Sequence, residues 1–432
     1  MLPAQLRLPY RPREAVEARR DAAIRRIVAH AARTVPHYRE LFARSGIDPR
    51  EIRTIADLER LPLVDKELVQ ADPERFRAQS AAGRTAVPFV TSGSTGMPLT
   101  IYHDRDSLLA SLAWNQRERV VEAKLCGKLF RYRRVAIVWT IATAFDVIAF
   151  HEKNTFAPLR PKGAFLDVAS PLEEQIAAIN RLRPDVLAGY GAHLELLFRV
   201  VAARKLRLHL PQVVVYGADL MTDEGRRFIE DTFGIPVISA YNAVEAFKIA
   251  FTCEERNGFH VHEDLCAVRL VDGDGTSVAA GASGEVVITN LVNRGTVLLN
   301  YRLGDVAAFD DTPCACGRTL RRLAGLEGRI AEYIRRHDGQ YVGSSEITKR
   351  VTSREGVLKY QLVQHEEQHF ELKLQTTSAE VYERIKDGLV AELRELLGAD
   401  VRIDVGRHDQ IEPGPRGKFR RVFSLFEPAQ AR

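Results

Sequence analysis

Hydroxyl-bearing residues and glycines are concentrated in one short segment, Thr91-Ser92-Gly93-Ser94-Thr95-Gly96-Met97-Pro98. The segment separates two runs of strand-like residues, AVPFV before it and TIYHD after it. Glycine lets a backbone approach an anion and present successive N–H groups, and hydroxyls add donors for phosphate oxygens. The segment is not a Walker A loop, because no Gly-Lys-Ser/Thr follows and no helix opens directly after it. It predicts a phosphate-binding loop, and the alternative is a flexible hairpin connection.

Cysteine and histidine side chains form a second group that suits chemistry. Cys253 and His260 flank a turn, EERNGF, and Cys314 and Cys316 lie in the segment TPCACGRT. Three thiolates and one imidazole suit tetrahedral Zn²⁺, and four protein ligands leave no open position, so the ion would be structural. His262 is a rival for His260 as a ligand. The alternative is that the cysteines are ordinary buried residues and the histidine lies at the surface.

The elements that carry these groups alternate between helices and strands in the middle of the chain. After a helical stretch at 14–45, the hydrophobic pattern predicts helix 106–123, strand 134–142, helix 171–183, strand 185–189, helix 192–204, strand 212–216, helix 222–233 and strand 236–240. Such alternation indicates βαβ units and a largely parallel sheet with helices on both faces. The apolar stretch 135–150 is short for a membrane span and contains Asp146, so we predict a buried strand and its following turn there.

The pattern changes twice towards the C-terminus. After Val261, strands follow one another with tight turns, among them the hairpin signal Asp272-Gly273-Asp274-Gly275. The sequence pattern of residues 330–432 predicts strands, a hairpin and one long amphipathic helix. We therefore predict an α/β fold, with a large N-terminal domain at 1–329 that contains parallel sheets and a β subdomain, followed by a small α+β domain at 330–432.

Several segments resemble, in the same order, the motifs of the adenylate-forming superfamily of acyl-CoA synthetases, peptide-synthetase adenylation domains and firefly luciferase. Besides the loop at 91–98, they are Tyr216-Gly217-Ala218-Asp219, Tyr241-Asn242-Ala243-Val244-Glu245, Asn300-Tyr301-Arg302-Leu303-Gly304-Asp305, Gly328-Arg329 and Gly414-Pro415-Arg416-Gly417-Lys418. Within the superfamily, the N-terminal segment Val35-Pro36-His37-Tyr38-Arg39, with LERLPLVDK after it, is similar to phenylacetate–CoA ligases and coenzyme F390 synthetase-like proteins. The resemblance spans nearly the whole chain.

The resemblance implies roles for the matched residues. It assigns nucleotide binding to Thr91, Ser92, Gly93, Ser94, Thr95, Gly96, Gly217, Ala218, Asp219, Tyr241, Asn242, Asp305 and Arg329. Tyr241 would stack on adenine, and Asp305 would accept hydrogen bonds from the ribose hydroxyls. Glu245 would help to hold Mg²⁺ as a catalytic residue. Lys418 would place its positive charge on the bridging oxygens as they develop negative charge during catalysis.

Some of these assignments have ordinary alternatives. Asp305 in a turn is usually a solvated cap, Glu245 before an apolar run resembles a helix-start residue, and Lys418 lies in a basic run that is typical of a solvated surface. Two positions depart from the family pattern. Asn242 stands where the family usually has Gly, and Val244 stands where it has Thr or Ser, which removes one donor to a phosphate or to the metal.

The acyl pocket is predicted from a segment that follows a strand. Gly189-Tyr190-Gly191-Ala192 opens a helix directly after strand 185–189, where open α/β sheets place ligands, and it matches the substrate-side segment of the family. Tyr190, Gly191 and Tyr216 are therefore the candidate substrate-binding residues. The alternative is that both tyrosines are core aromatics.

The resemblance implies an ATP-dependent carboxylate–CoA ligase, for an aryl or arylacetic acid, that forms an acyl-AMP and releases pyrophosphate. Its cofactors and co-substrates would be ATP, Mg²⁺ and coenzyme A, beside the structural Zn²⁺. The small domain would be mobile and would turn after adenylation to admit the acceptor thiol. The alternatives are an amine, a carrier protein or coenzyme F420 as the acceptor, and a nucleotide-binding regulatory protein with a degenerate site.

Composition limits the partners. Lys and Arg number 62 against 57 Asp and Glu, a small excess that suits an anionic ligand but gives no evidence for nucleic acid. The N-terminus has no apolar signal region and 5 cysteines make no disulfide scaffold, so we expect a cytoplasmic protein with no membrane segment. A homodimer is common in the resembling family.

Overall fold

The computed structural model describes residues 2–91, 98–128, 132–139, 143–155, 162–329, 334–338, 340–412 and 419–426. The α-helices are α1 (Leu2–Arg7), α2 (Arg13–Thr34), α3 (Pro36–Ser45), α4 (Lys66–Ala71), α5 (Ala81–Arg84), α6 (Arg105–Leu125), α7 (Thr143–Asn154), α8 (Leu172–Leu182), α9 (Gly191–Ala203), α10 (Asp223–Phe233), α11 (Ser344–Thr352) and α12 (Ala379–Leu397).

The strands are β1 (Val87–Val90), β2 (Thr100–His103), β3 (Arg133–Val138), β4 (Lys162–Asp167), β5 (Val186–Tyr190), β6 (Val213–Gly217), β7 (Val237–Tyr241), β8 (Ala250–Phe251), β9 (Phe259–Val261), β10 (Cys266–Val271), β11 (Ser283–Asn290), β12 (Tyr301–Asp310), β13 (Arg322–Arg329), β14 (Ile334–Arg335), β15 (Tyr341–Val342), β16 (Val357–Glu366), β17 (His369–Thr376), β18 (Arg402–Arg407) and β19 (Val422–Ser424). None of the helices in the described part of the chain is long and apolar enough to cross a membrane.

The first of two compact units contains Met1–Arg134, Ile141–Gly163 and Ile238–Leu326. Its main strands follow the order β10-β11-β12-β13-β9-β8-β7. The pairs β10–β11, β11–β12, β9–β13, β8–β9 and β7–β8 are all antiparallel, which confirms the predicted β subdomain. Helices α2 and α3 contribute buried apolar residues, among them Ile24 and Tyr38, to one core with the strand residues Val286 and Ile288.

Two local predictions for this unit need correction. The helical stretch 14–45 is two helices, α2 and α3, because Val35 has extended backbone and Pro36 begins α3 without an amide hydrogen to continue α2. In the apolar stretch 135–150, the predicted strand is β3, but the second half forms helix α7 instead of a turn. A short apolar run does not by itself distinguish a strand from a helix.

The second unit contains Val135–Thr140, Ala164–Val237 and Glu327–Arg432. Its N-terminal part has strand order β6-β5-β3-β4, and β5 and β6 pair in parallel from Val186↔Val213 to Tyr190↔Gly217. Helices α8, α9 and α10 alternate with these strands and share a core with them that includes Ile179 and Leu197. The predicted α/β class with parallel strands is confirmed.

The C-terminal part of this unit is a smaller α+β region, as predicted. Its sheet has the order β18-β17-β16-β19, in which β16–β17 is antiparallel and both β17–β18 and β16–β19 are parallel. Helix α12 buries Ile385, Leu389, Leu393 and Leu397, a spacing of one helical turn that forms a single apolar stripe. Alternate residues of β17 are buried, so this sheet has one face on the core.

Candidate functional site

Tyr241 and Asp305 are hydrogen-bonded to each other in the first unit. Tyr241 is the last residue of β7, and Asp305 lies in β12. The Tyr241 hydroxyl donates to Asp305 Oδ2 at 2.6 Å. Two side chains that the family resemblance assigns to adenine and to ribose are therefore neighbours.

A β-bulge determines where Asp305 lies. The register between β11 and β12 shifts between Glu285 and Val287, so β12 carries extra residues at this point. One of them, Gly304, has a φ of +74°, a conformation that glycine adopts without the steric cost of a side chain. A bulge re-aims the adjacent side chains of a strand. Asp305 is thus a residue of a bulged strand and not a solvated cap in a turn between elements.

Glu245 lies close behind Tyr241, in the turn after β7. Its carbonyl accepts a hydrogen bond from the Asn290 side-chain amide at 3.0 Å, and its Oε1 lies 3.5 Å from the Tyr301 hydroxyl. Burial and the charge of Glu245 both raise the pKa of Tyr301, so this hydroxyl stays protonated and can donate to the carboxylate. A carboxylate oxygen is the type of ligand that Mg²⁺ prefers.

Asn242, the first departure from the family pattern, stabilises the same turn. In the amide orientation that satisfies both ends of the side chain, its nitrogen donates to the carbonyls of Tyr241 and Phe247 at 3.2 and 3.0 Å. Phe247 has a φ of +58°, a left-handed conformation that costs a residue with a side chain on the order of 1 kcal/mol or more. The two hydrogen bonds offset part of that cost, which explains why an asparagine at position 242 suits this turn.

Val244, the second departure, faces apolar neighbours. Its side chain packs against a cluster that includes Phe89, Leu108 and Phe247. Its carbonyl accepts a hydrogen bond from His103 Nε2 at 2.7 Å, and the His103 ring stacks on Phe247 with 3.9 Å between centroids. Burial lowers the pKa of His103 to about 4, so the imidazole is neutral near pH 7. A hydroxyl at position 244 would lie among apolar side chains.

The predicted zinc ligands come together in the first unit. Their donor atoms, from Cys253, His260, Cys314 and Cys316, all lie within 4.8 Å of one another. Cys253 Sγ is 3.7 Å from Cys314 Sγ, and Cys316 Sγ is 3.4 Å from His260 Nε2. Cys253 follows β8, His260 lies in β9, and both other cysteines lie between β12 and β13. Three sulfurs and one nitrogen at this separation fit a tetrahedral Zn²⁺.

Surrounding groups orient these ligands as a metal would require. His260 Nδ1 lies 3.4 Å from the Leu320 carbonyl, which leaves Nε2 for the metal. The Arg318 amide lies 3.4 Å from Cys316 Sγ, and such a donor stabilises a thiolate. The residues present therefore fit the ion.

His262, the rival ligand, belongs to a different group of buried side chains. Its Nδ1 is 3.2 Å from Arg117 Nη1, and its Nε2 is 3.6 Å from Glu118 Oε1. Lys248 Nζ donates to Glu118 Oε2 at 2.7 Å. Burial opposes ionisation of Glu118, but Lys248 and His262 outweigh it and hold its pKa at about 2. Arg117 also pairs with Asp264 at 2.8 Å, so charges balance within the group.

The candidate substrate-side residues lie in the second unit. Gly191 begins α9, and a Cβ there would lie 2.4 Å from the Met221 amide nitrogen, so the residue must be glycine for the chain to pack. Asp219 Oδ1 accepts a hydrogen bond from the Ala192 amide at 3.3 Å. Tyr190 is buried, and this burial raises its pKa, as expected of a core aromatic as much as of a pocket residue.

The Tyr216-Gly217-Ala218-Asp219 step leaves β6 in an unusual conformation. Tyr216 is half-buried against the core of the unit. Ala218 is exposed and has a φ of +67°, which is uncommon for alanine and is found at sites under functional constraint. The following residue, Asp219, lies beside the start of α9.

The predicted phosphate loop is described only at its start. Thr91 Oγ1 accepts a hydrogen bond from the Leu99 amide at 2.9 Å, and the Thr91 amide donates to the Leu99 carbonyl at 2.8 Å. Thr91 thus closes the base of the loop. Ser92, Gly93, Ser94, Thr95, Gly96 and Lys418 lie outside the described residues, as does the side chain of Arg329.

Comparisons with known proteins decide the family. The sequence profile of "AMP-binding enzyme" matches residues 2–293, and that of the "CapK C-terminal domain" matches residues 334–424. The first match alone covers more than half of the chain. The chain belongs to the AMP-binding enzyme family. The adenylate-forming superfamily that the ordered motifs predict is thereby confirmed.

Relatives of this AMP-binding enzyme cover most of its length. A phenylacetate–coenzyme A ligase of Thermus thermophilus is 26% identical over 449 residues, which cover 96% of this chain and 97% of the relative. One of Escherichia coli is 25% identical over 317 residues, 71% of this chain and 69% of the relative. A solved structure of 2-hydroxyisobutyryl-CoA ligase, 18% identical, has a TM-score of 0.79 over 98% of this chain and 92% of the other. The resemblance to phenylacetate–CoA ligases is confirmed, and so is the fold class.

Sequence reasoning missed several residues around the site of this AMP-binding enzyme. His103 donates a hydrogen bond to the Val244 carbonyl, although the two residues are 141 positions apart in the sequence. Asn290 donates to the Glu245 carbonyl, 45 positions away in the sequence. Neither residue carries a signal in the sequence pattern, because a single histidine or asparagine in a strand is common in proteins of every function. Phe247 could have been suspected, since it follows the Glu245 motif closely.

Proposed function

We propose that this AMP-binding enzyme is an ATP-dependent carboxylate–CoA ligase that acts on an aryl or arylacetic acid through an acyl-AMP. The observation that carries the proposal is the hydrogen bond between Tyr241 and Asp305, because it unites the two side chains to which the family motifs assign adenine and ribose. Glu245 lies in the turn that follows Tyr241 and supplies a carboxylate for Mg²⁺.

The reaction has two steps with balanced bonds. In the first, a carboxylate oxygen of the acid attacks the α-phosphorus of ATP, and the bond to the β-phosphate oxygen breaks to release pyrophosphate. In the second, the CoA sulfur attacks the acyl carbonyl carbon, and AMP leaves. Both partners of the first step are anions, so positive charge and fixed geometry must offset their repulsion. We assign this task to Lys418, to the loop at 91–96 and to Mg²⁺, which Glu245 would help to hold.

The aromatic class of the acid is inferred from two relatives. Phenylacetate–coenzyme A ligases of Thermus thermophilus and Escherichia coli match 96% and 71% of this chain. Tyr190, Gly191 and Tyr216 stay the proposed substrate-side residues.

We assign the Cys253, His260, Cys314 and Cys316 cluster to a structural Zn²⁺. When bound, the ion would join the loop after β8 to the segment between β12 and β13. The small domain, 330–432, would turn between the two steps and bring the acceptor thiol to the acyl-AMP. Coenzyme A, the homodimer and the cytoplasmic location remain parts of the proposal.

Pyrophosphate release from Mg-ATP, measured with a panel of carboxylic acids and with or without CoA, tests the function. Release that depends on aryl or arylacetic acids, together with a CoA thioester product, is expected. Acid-dependent release that leaves CoA unchanged would replace the acceptor by an amine or a carrier protein. Absence of release with every acid, despite measurable ATP binding, would refute the ligase and favour nucleotidyl transfer or a regulatory protein.

A further inference from the structure

Arg421 joins the C-terminal sheet to the α9–α10 region within the second unit. Its Nη2 lies 2.9 Å from Glu195 Oε2 on α9, and its Nη1 donates to the Leu220 carbonyl at 2.8 Å. The side chains of Arg421 and Glu195 are 15% and 5% exposed, so water screens this pair little. A planar guanidinium that bonds two acceptors at once fixes orientation as well as distance.

Glu195 is also held by residues of α9 and α10 that do not depend on Arg421. Its carboxylate accepts hydrogen bonds from the Thr222 hydroxyl at 3.0 Å and the Thr222 amide at 3.3 Å, and Arg199 pairs with it at 3.1 Å. Thr222 is also the N-cap of α10. The carboxylate fits beside Gly225, where a Cβ would lie 2.3 Å from its Cδ. The acceptor of the pair is thus part of the rigid α9–α10 packing.

The backbone of Arg421 is hydrogen-bonded to the C-terminal sheet. Its carbonyl accepts a hydrogen bond from the Leu362 amide at 2.7 Å, next to the parallel pairing of β16 with β19. Any movement of this sheet away from α9 must therefore break the contacts of the Arg421 side chain.

Apolar and cationic contacts surround the pair. Ile411 and Phe419 pack with Ala192 at the start of α9. Lys359 donates to the Ile411 carbonyl at 2.7 Å, and its ammonium lies 4.0 Å from the centre of the Phe419 ring. Burial and the charge of Arg421 lower the pKa of Lys359 to about 8, although Asp219 and Glu412 oppose this.

These contacts flank the chain position of the proposed catalytic lysine. Ile411 precedes Lys418 in the sequence and Phe419 follows it directly, and both touch the first turn of α9. Leu220 comes directly after Gly217, Ala218 and Asp219, the part of this step to which nucleotide binding is assigned. The contacts therefore tie both flanks of the lysine to the part of the unit that carries this step.

We propose that the Arg421–Glu195 ion pair is a positioning latch that seats the C-terminal sheet for acyl-AMP formation and opens for transfer to the thiol. The inference rests on the proposed function, since it assigns the latch to one of its two steps. Arg421 does not touch the reacting atoms in this account; it acts through the segment that carries Lys418.

Arg421→Met, measured in each half-reaction separately, tests the latch. Acid-dependent exchange of pyrophosphate into ATP is expected to fall about 10²-fold, because misplacement of a catalytic group by about 1 Å costs that much. Transfer from preformed acyl-AMP to CoA is expected to persist. Arg421→Lys should retain more of the exchange activity than Arg421→Met does. The lysine ammonium keeps the positive charge but cannot bond Glu195 and the Leu220 carbonyl at the same time with the geometry of a guanidinium. Arg420→Met, at the neighbouring position where the guanidinium lies over Phe423, is the control.

Amide hydrogen exchange at the start of α9 supplies a readout that does not depend on any substrate. It is expected to be faster in Arg421→Met than in the wild type and in Arg420→Met. Equal losses in both half-reactions, or an unchanged hydrogen exchange, would overturn the latch. A wild-type protein that releases no pyrophosphate with any acid would instead refute the proposed function, and the hydrogen exchange would then still decide whether Arg421 holds the C-terminal sheet.

Discussion

The Tyr241 hydroxyl donates a hydrogen bond to Asp305 Oδ2 at 2.6 Å, although the two residues are 64 positions apart in the chain. A hydroxyl that donates to one oxygen of a carboxylate restricts the rotation of that carboxylate. Such preorganisation suits a carboxylate that must receive ribose hydroxyls. The bulge at Gly304 and the end of β7 together produce this geometry.

Tyr241→Phe tests that relationship. The loss of a hydrogen bond to a charged group is worth about 1.5 kcal/mol, so the KM for ATP should rise about tenfold, and the kcat of acid-dependent exchange should change less. Tyr38→Phe is the matched control, because its hydroxyl bonds the Leu299 amide at 2.8 Å in the core and has no assigned role with ATP. An unchanged KM for ATP in Tyr241→Phe would contradict the role of the Tyr241 hydroxyl in positioning Asp305 for ribose.

Metal analysis of the purified protein tests the cysteine–histidine cluster. We expect about one zinc ion per chain and its loss in Cys316→Ser. A bound ion at about 1,000 times its Kd contributes about 4 kcal/mol to stability, so chelation should lower the Tm of the wild type measurably. Cys126→Ser, at a buried position away from the cluster, should keep the zinc. Zinc-free wild-type protein with all ligand side chains reduced and intact would refute the site.

The buried His103 predicts a dependence of stability on pH. Burial lowers its pKa from 6.5 to about 4 in the folded protein, although the Val244 carbonyl and Asp104 oppose this. Below pH 6.5, His103 therefore binds a proton in the unfolded chain but not in the folded protein. As a result, the stability of the folded protein falls as the pH drops from 6.5 to about 4. The difference corresponds to about 3 kcal/mol from this residue.

His103→Gln removes that contribution and keeps a donor for the Val244 carbonyl. Urea unfolding at pH 7 and at pH 4.5 should show a smaller loss of stability on acidification in the variant than in the wild type. His337→Gln, at an exposed position, should lose as much stability as the wild type. If His103→Gln and the wild type lose the same free energy, His103 titrates normally and the stacked arrangement with Phe247 is wrong.

Val244→Thr restores the residue that the family usually has. Because the side chain packs on Phe89, Leu108 and Phe247, the added hydroxyl should cost about 1 kcal/mol in stability. We expect no gain in turnover, since the side chain at position 244 is surrounded by apolar residues. Val90→Thr, at a position that is 39% exposed, should leave the Tm nearly unchanged. A Val244→Thr variant with faster adenylation would show that the hydroxyl can reach the phosphates after all.

The local sequence pattern predicts those features that are determined by residues close together in the sequence. The alternation around β5 and β6 predicts parallel strands, and the apolar spacing in α12 predicts an amphipathic helix. The sequence also predicts the group of Cys253, His260, Cys314 and Cys316, since three cysteines and a histidine at such spacing are typical of metal sites. The family resemblance supplied the order of the nucleotide motifs, which spacing alone could not.

Other features depend on contacts that no local pattern encodes. The bulge at Gly304 arises from pairing with β11, so the sequence alone is compatible with Asp305 in an ordinary turn. The pattern predicts a turn where helix α7 forms, because the apolar residues there fit several periods. The Arg421–Glu195 pair joins positions 226 residues apart, and either residue alone is typical of a protein surface.

Transfer of isotope from the acid to AMP would show whether the protein forms an acyl-AMP. The acid that gives the most pyrophosphate release would be prepared with ¹⁸O in its carboxylate and converted with Mg-ATP and CoA to completion. Attack of the carboxylate on the α-phosphorus leaves one of those oxygens on AMP when the thiol displaces it. We therefore expect ¹⁸O in AMP and none in pyrophosphate. Label that appears in inorganic phosphate, with ADP as the nucleotide product, would contradict an adenylate-forming ligase.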